Sequence, residues 1–444
     1  MEKRNVVIFG LAGICAIGCL LTWLLEVNSF VGPLLIGFFS FMALGLRNNE
    51  KTRGFSFSML IFAGVTVAMF YPNPFVRFGN FEMKSLIVPL LQIIMFGMGT
   101  AMSLNDFQNV IRMPKGVLVG MACQFTIMPF VGFGLAYAFN FPPEIAAGIV
   151  LVGSSPSGLA SNVMSYISKA NLALSVTLTA VATLLAPLMT PVLMKLLAGQ
   201  LVPINFWAMM ASIFKIVIIP IVAGLIFNKV VYAKEGWWVK IAKSQAIIAG
   251  IILAMISLIV KQFLAPVILS SLGENGGGVF VPVAIDLVWI LLLAIAGGIL
   301  FNRFSKGNAA LIDKTMPLLS MGGIAIIITI ITAAGRDSLM QIGFLLIVAC
   351  LIHNMAGYFL GYWTCRFLGM DEKSCRTIAL EVGMQNGGLA SGIALEMGRV
   401  ATLGLAPAVF GPMMNITGSS LATWWRGKPT ESDQETEEAI LEQK

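Results

Sequence analysis

The chain has 444 residues, of which 58% are hydrophobic and only 11% charged, with a mean hydropathy of +0.89 and a formal net charge of +7. Too few polar side chains remain to cover a water-soluble globule, so the composition excludes one and implies a bilayer. The positive balance would suit nucleic acid in a soluble protein, but basic loops on one membrane face give the same total, and the distribution of charge decides.

The apolar residues come in runs long enough to cross a hydrocarbon core about 30 Å thick. In chain order they predict fourteen spans, over residues 5–25, 29–46, 55–71, 85–103, 116–139, 144–167, 172–197, 206–228, 245–262, 282–301, 315–335, 340–365, 376–397 and 404–425. With a cytoplasmic amino terminus, 21 of the 28 basic residues fall on the inner side and 5 on the outer, leaving Lys195 and Lys215 near span ends or within spans. That asymmetry obeys the positive-inside rule and predicts a multi-pass protein of the inner (plasma) membrane with both termini cytoplasmic.

The first run resembles a signal peptide, with Lys3 and Arg4 ahead of it and a lipobox-like Ala16-Ile17-Gly18-Cys19. It continues to Leu25, however, which a short cleaved segment would not need. Beyond Trp425 the chain carries Glu431, Asp433, Glu435, Glu437, Glu438 and Glu442, a solvated polar tail. Six cysteines without CxxC spacing read as structural, and the lone His353 cannot form a histidine-ligated metal site. No catalytic constellation is visible, so an enzyme is not expected.

Two spans depart from the plain Leu, Ile, Val and Phe pattern. The sixth holds Gly153-Ser154-Ser155-Pro156-Ser157-Gly158-Leu159-Ala160-Ser161-Asn162, and the thirteenth holds Glu381-Val382-Gly383-Met384-Gln385-Asn386-Gly387-Gly388-Leu389-Ala390-Ser391-Gly392. Proline and glycine loosen a helix whose main chain then needs other partners, so such segments line cavities rather than lipid. The tetrapeptide at 158–161 recurs at 388–391, which suggests two halves built from one repeated unit. Paired broken helices offer N–H groups to an anion and carbonyls to a cation. Small residues serving only close helix packing are the alternative for either motif alone. Glu381 argues for a site, because a carboxylate inside a span costs at least ~2.5 kcal/mol unless paired or hydrated. A bound cation would be its partner; a protonated carboxyl, suited to a proton-coupled carrier or a structural hydrogen bond, is the alternative.

These residues, with Phe96-Gly97-Met98-Gly99, Asn105-Asp106-Phe107 and Gln124-Phe125-Thr126-Ile127-Met128-Pro129, resemble the bile acid:sodium symporter family from about Phe55 to Trp425. The resemblance implies an all-α polytopic fold: inverted five-helix repeats, a core domain in which two discontinuous helices cross, and a panel domain. It implies one sodium site at Ser161, Asn162, Ser175, Thr179 and Glu381. A second would use Gln124, Glu381, Gln385 and the carbonyls of Val382 and Met384. Substrate would lie near Leu159, Ala160, Asn386, Gly387 and Asn415, where either asparagine could instead satisfy a broken helix's own backbone. Ser175 and Thr179 share a helix face, which fits sodium ligands and backbone-bonded hydroxyls alike. Leu159 stands where several bacterial members have threonine, and Ser157 replaces a common glycine.

The resemblance divides the chain into two additional helices (1–54), the first repeat and the start of the second (55–230), an insertion with two additional helices (231–313), the remainder of the second repeat (314–425) and an acidic tail (426–444). Asp286 in the insertion is assigned no role and placed near the outer interface. His353-Asn354 lies about as far before the second tetrapeptide as Gln124 before the first, as a packing counterpart. The expected function is sodium-coupled symport of an organic anion, bile-acid-like or a small hydroxy or keto acid such as pantoate, with Na⁺ as coupling ion and no other cofactor. A proton-coupled organic-anion carrier and a non-transporting ligand-binding membrane sensor are the alternatives.

Overall fold

The structure is a computed structural model that describes residues 2–47, 52–103, 109–231, 252–253, 255–256, 280–304 and 310–428. Asn105-Asp106-Phe107, most of the span expected at 245–262 and the tail from residue 429 lie outside the described residues. The chain is an all-α polytopic membrane protein; one two-residue strand pair, Arg77–Phe78 with Phe81–Glu82, closes a turn. Among the described residues eight helices are long and apolar enough to cross a membrane. Helices suit that environment because they satisfy their own backbone where water is absent.

In order, the principal helices are α1 (Glu2–Leu24), α2 (Val31–Arg47), α3 (Arg53–Phe70), α4 (Ile87–Ala101), α5 (Pro114–Ala138), α6 (Pro143–Ser154), α7 (Leu159–Ile167) and α8 (Leu172–Leu193). There follow α9 (Phe206–Ile213), α10 (Ile219–Val231), α11 (Phe280–Phe304), α12 (Ala310–Ala334), α13 (Arg336–Phe367), α14 (Glu372–Gly383), α15 (Gly387–Glu396) and α16 (Leu405–Arg426). Asn171, Asn205, Asp371 and Asn386 each accept from a backbone N–H three residues on, capping α8, α9, α14 and α15.

The helices form two layers. In the first, α12 packs on α3 and α4, and α4 packs along α10. The α4–α10 approach is close because a side chain at Gly99 would strike the Ile221 carbonyl, and one at Gly224 the Phe96 carbonyl. This row is extended at both ends: α2 packs on α3 and α1 on α2, while α11 packs on α10. The second layer gathers α5, α6, α7, α8, α13, α14, α15 and α16. Between the layers, α15 lies against α4, α9 and α12, and α16 against α3 and α12; the close packing of α7 is on α8, α14 and α16.

Asp286, expected to have no role, is buried in α11. Its carboxylate accepts from Trp289 Nε1 at 3.0 Å and lies 3.7 Å from Lys215 Nζ. Lys215 stands in a π-helical turn, Phe214–Ile218, between α9 and α10, and Gln92 of α4 donates to its carbonyl at 3.3 Å. An ion pair thus ties α11 to the first layer.

Candidate functional site

Pro156 supplies no N–H and disfavours helical dihedrals in the residue before it, so α6 ends at Ser154 and Ser155 turns extended (φ −80, ψ 155). The helix resumes at Leu159 after an extended Gly158. The second interrupted segment behaves alike, with α14 ending at Gly383, Met384 extended, and α15 starting at Gly387. The two extended stretches pair antiparallel, with Ser157 opposite Gln385. Gly158 N donates to the Met384 carbonyl at 3.0 Å, and Asn386 N donates to the Pro156 carbonyl at 2.8 Å. Each break therefore satisfies main-chain groups that the other exposes, the condition for irregular backbone at membrane depth.

One turn before the second break, Glu381 is 2% exposed. Ser161 Oγ and Ser175 Oγ donate to its Oε1 at 2.6 and 2.5 Å, and Thr179 Oγ1 donates to Oε2 at 2.9 Å. Asn162 Oδ1 lies 2.8 Å from Ser175 Oγ and 3.2 Å from Thr179 Oγ1, an alternative acceptor for the single proton of each hydroxyl. The five residues expected at the first sodium site are thus brought together from α7, α8 and α14. Among the described residues Glu381 forms no ion pair; its partners are hydroxyls. Hydroxyl, amide and carboxylate oxygens are the donor set of a hard cation, and each hydroxyl can turn a lone pair inward.

The second set lies on the other side of the break. Gln124, 1% exposed on α5, donates through Nε2 to the Ser155 carbonyl at 3.0 Å and to Gln385 Oε1 at 2.8 Å. Gln385 Nε2 donates to the Val382 carbonyl at 2.5 Å. The Met384 carbonyl is the acceptor of the inter-break bond described above. Gln124, Val382, Met384 and Gln385 therefore form one connected group, with Glu381 adjoining it through the chain. Gln124 Oε1 is buried with no hydrogen-bond partner among the described residues. An unpartnered buried oxygen amid carbonyls is costly, and a cation would relieve it.

Of the residues expected near substrate, Leu159 and Ala160 are half-buried at the start of α7, and Gly387 is buried against the Pro407 carbonyl and Gly411 of α16. Asn386 Oδ1 is used to cap Leu389 N at 3.0 Å, a bond that does not engage its amide nitrogen. Asn415 Nδ2 donates to the Gly411 carbonyl of its own helix at 3.0 Å, so only the second N–H of that amide is available. At the far end of α15, Glu396 accepts from Ser212 of α9 at 3.4 Å beside a cleft of about 250 Å³ between the layers. Arg399 pairs with Glu144, which also accepts from Thr402.

Ser157, the residue noted only as a departure from glycine, is buried at the crossing opposite Gln385. His353 is fully buried, with Nε2 2.9 Å from the Met128 carbonyl, its ring edge-on to Phe410 at 5.6 Å, and Nδ1 without a hydrogen-bond partner among the described residues.

Residues 88–272 match the family model described as the Sodium Bile acid symporter family. An uncharacterized sodium-dependent transporter of Bacillus subtilis, YocS, is 33% identical over 384 residues, covering 86% of this chain and 94% of that protein. A probable chloroplastic sodium/metabolite cotransporter of Arabidopsis thaliana, BASS1, is 27% identical over 372 residues, covering 84% and 73%. Among solved structures, the sodium proton antiporter MjNhaP1 from Methanocaldococcus jannaschii superposes with a TM-score of 0.51 at 16% identity, covering 90% of this chain and 98% of that one, a likeness of fold alone.

Proposed function

This chain belongs to the sodium bile acid symporter family of membrane transporters, and from that membership we propose that it is a sodium-coupled secondary active symporter of organic anions. The observation that carries the reading is Glu381, buried at a helix break among hydroxyl and amide oxygens with no lysine or arginine partner among the described residues. One sodium ion is held by Ser161, Asn162, Ser175, Thr179 and Glu381. A second is held by Gln124, Glu381, Gln385 and the carbonyls of Val382 and Met384, where the orphaned Gln124 Oε1 supports it. One carboxylate offsets part of both charges. The α15 amino terminus, with Asn386, Gly387, Leu159, Ala160 and Asn415 around it, receives the anion.

Coupling follows because sodium fixes the two breaks in the arrangement that presents Asn386, so each ligand favours the other's binding. The architecture is read as fourteen spans in inverted five-helix repeats, with residues 1–54 and 231–313 as additions, the first layer as panel and the second as core. With both termini cytoplasmic in the inner (plasma) membrane, α15 is the outer half of its broken helix and α7 the inner half of the other. The packing of α15 and not α7 against the first layer then describes a carrier closed to the outside and open to the cytoplasm. Bile-acid-like anions and small hydroxy or keto acids such as pantoate are the substrate classes.

The test is uptake of a panel of radiolabelled organic anions into proteoliposomes. Accumulation driven by an inward sodium gradient is expected. Accumulation driven by a pH gradient with sodium absent would replace this reading with a proton-coupled carrier, and sodium-dependent binding without uptake would replace it with a ligand sensor.

A further inference from the structure

Gln124 precedes Gly158 of the first tetrapeptide by 34 residues, and Asn354 precedes Gly388 of the second by the same 34. Their side chains do the same work. Gln124 Nε2 donates to the Ser155 carbonyl, just past the end of α6, and Asn354 Nδ2 donates at 2.8 Å to the carbonyl of Gly383, the last residue of α14. These are carbonyls that a helix terminus leaves without an intrahelical partner, and at membrane depth no bulk water serves them.

The two carboxamides differ at the oxygen. Gln124 Oε1 has no partner among the described residues, whereas Asn354 Oδ1 accepts from Thr417 Oγ1 at 2.5 Å. Tyr358 OH stands 3.3 Å from that hydroxyl and donates to the Met414 carbonyl at 3.2 Å. Asn354 is fully buried. In the second half of the molecule a threonine hydroxyl therefore donates to the carboxamide oxygen, whereas no described side chain does so in the first half. The peptide that Asn354 grips is also particular: Gly383 lies between Val382 and Met384, whose carbonyls are the backbone ligands of the second sodium site.

We propose that Asn354 and Thr417 are positioning residues for sodium, a fixed clamp that orients the 382–384 main chain so that its flanking carbonyls face Gln124 and Gln385. The inference rests on the two-sodium reading above. Rotation of the Gly383 peptide would turn the Val382 and Met384 carbonyls away from the site, and the Asn354 bond resists that rotation. Thr417 favours the donating orientation of the amide, because flipping it would turn the Thr417 proton back to the longer contacts with the Met413 and Met414 carbonyls and set two carbonyl oxygens against each other.

The experiment is a sodium titration of purified protein in detergent, read by thermal shift and by binding of one radiolabelled anion identified in the uptake panel. It compares wild type, Asn354→Ala, Thr417→Val and Thr417→Ser. Thr417→Val keeps the shape and removes only the hydroxyl. The sodium concentration for half-maximal effect is expected to rise about 5- to 30-fold in Asn354→Ala and Thr417→Val, the scale of losing one buried hydrogen bond, and to stay near wild type in Thr417→Ser. Anion affinity at saturating sodium is expected to be unchanged in all three, since no group offered to the anion is altered. Sodium dependence equal to wild type in Thr417→Val overturns the proposal. So does an equal loss of melting temperature with and without sodium, which marks a purely structural role. If Asn354→Ala does not fold, the valine and serine pair decides. Failure of the symporter reading is distinguishable, because wild type itself would then show no response to sodium.

Discussion

Glu381→Gln keeps the size of the side chain and removes its charge, which makes it the sharpest probe of the site. A sodium ion about 4 Å from the carboxylate charge gains ~4 kcal/mol at an effective dielectric of about 20. At about 1.4 kcal/mol per decade, that is close to three orders of magnitude in affinity for each ion. Sodium at 100 times its dissociation constant stabilises a folded protein by about 2.7 kcal/mol; weakened a thousandfold, the same concentration contributes less than ~0.1 kcal/mol. In potassium the variant should melt close to wild type, because Ser161 keeps the Gly158 carbonyl and Ser175 and Thr179 keep Asn162 Oδ1 as acceptors, and a buried charge has been removed. The assay is the melting temperature of each protein in sodium and in potassium at equal ionic strength. The expected result is a sodium-dependent rise in wild type that vanishes in Glu381→Gln. The reasoning is refuted if sodium stabilises the variant as much as wild type, or if the variant loses the same amount in both salts.

Three further outcomes follow from the geometry. Gln124→Leu leaves the Ser161, Asn162, Ser175, Thr179 and Glu381 cluster intact, so sodium titration of anion uptake should persist with a Hill slope falling towards one. Asp286→Asn leaves Lys215 without its charge partner and should lower stability by about 1–3 kcal/mol, discounted for the half-exposed lysine. Lys215→Met with Asp286→Leu should recover most of that loss in denaturation measurements. Cysteines placed at Ser212 and Glu396, joined by a short bifunctional reagent in a background without native cysteines, should block uptake reversibly by tying α9 to α15, as transport assays before and after cleavage would report.

The interrupted helices were legible in the sequence because their cause is local: a proline without an N–H and clustered glycines act on their own segment. Which hydroxyls meet Glu381 was not legible from spacing. On α8, Thr177 and Thr183 donate to the carbonyls of Ala173 and Thr179 in their own helix, while Ser175 and Thr179 turn to Glu381. The residue types are the same, and the face that α14 covers separates them, a matter of tertiary packing. The resemblance to a known family supplied that choice. It supplied nothing for Asp286, whose partner Lys215 lies on a different helix; a carboxylate in an inserted span carries no local sign of its pairing. Ser157 gave no local sign of its surroundings for a related reason: it faces Gln385 only when the two breaks cross.

The placement of the additional helices bears on how the proposed carrier moves. Two layers can slide only if the contacts between them are weak enough to exchange, and any helix bridging both would add to the barrier. α1 and α2 join the row beyond α3, and α11 joins it beyond α10, so these additions enlarge one layer and leave the other unburdened. The Lys215–Asp286 pair nevertheless brings α11 near the site, because Lys215 shares its π-helical turn with Ile216. The Ile216 side chain reaches to 3.7 Å of where a Cβ on Gly392 would sit, one turn into α15. On one side that turn touches α15, and on the other it holds α11. The π-turn, in which the Ile219 N–H goes to the Phe214 carbonyl and Gln92 donates to the Lys215 carbonyl, thus links α11 to α15 through the neighbouring side chains of Lys215 and Ile216.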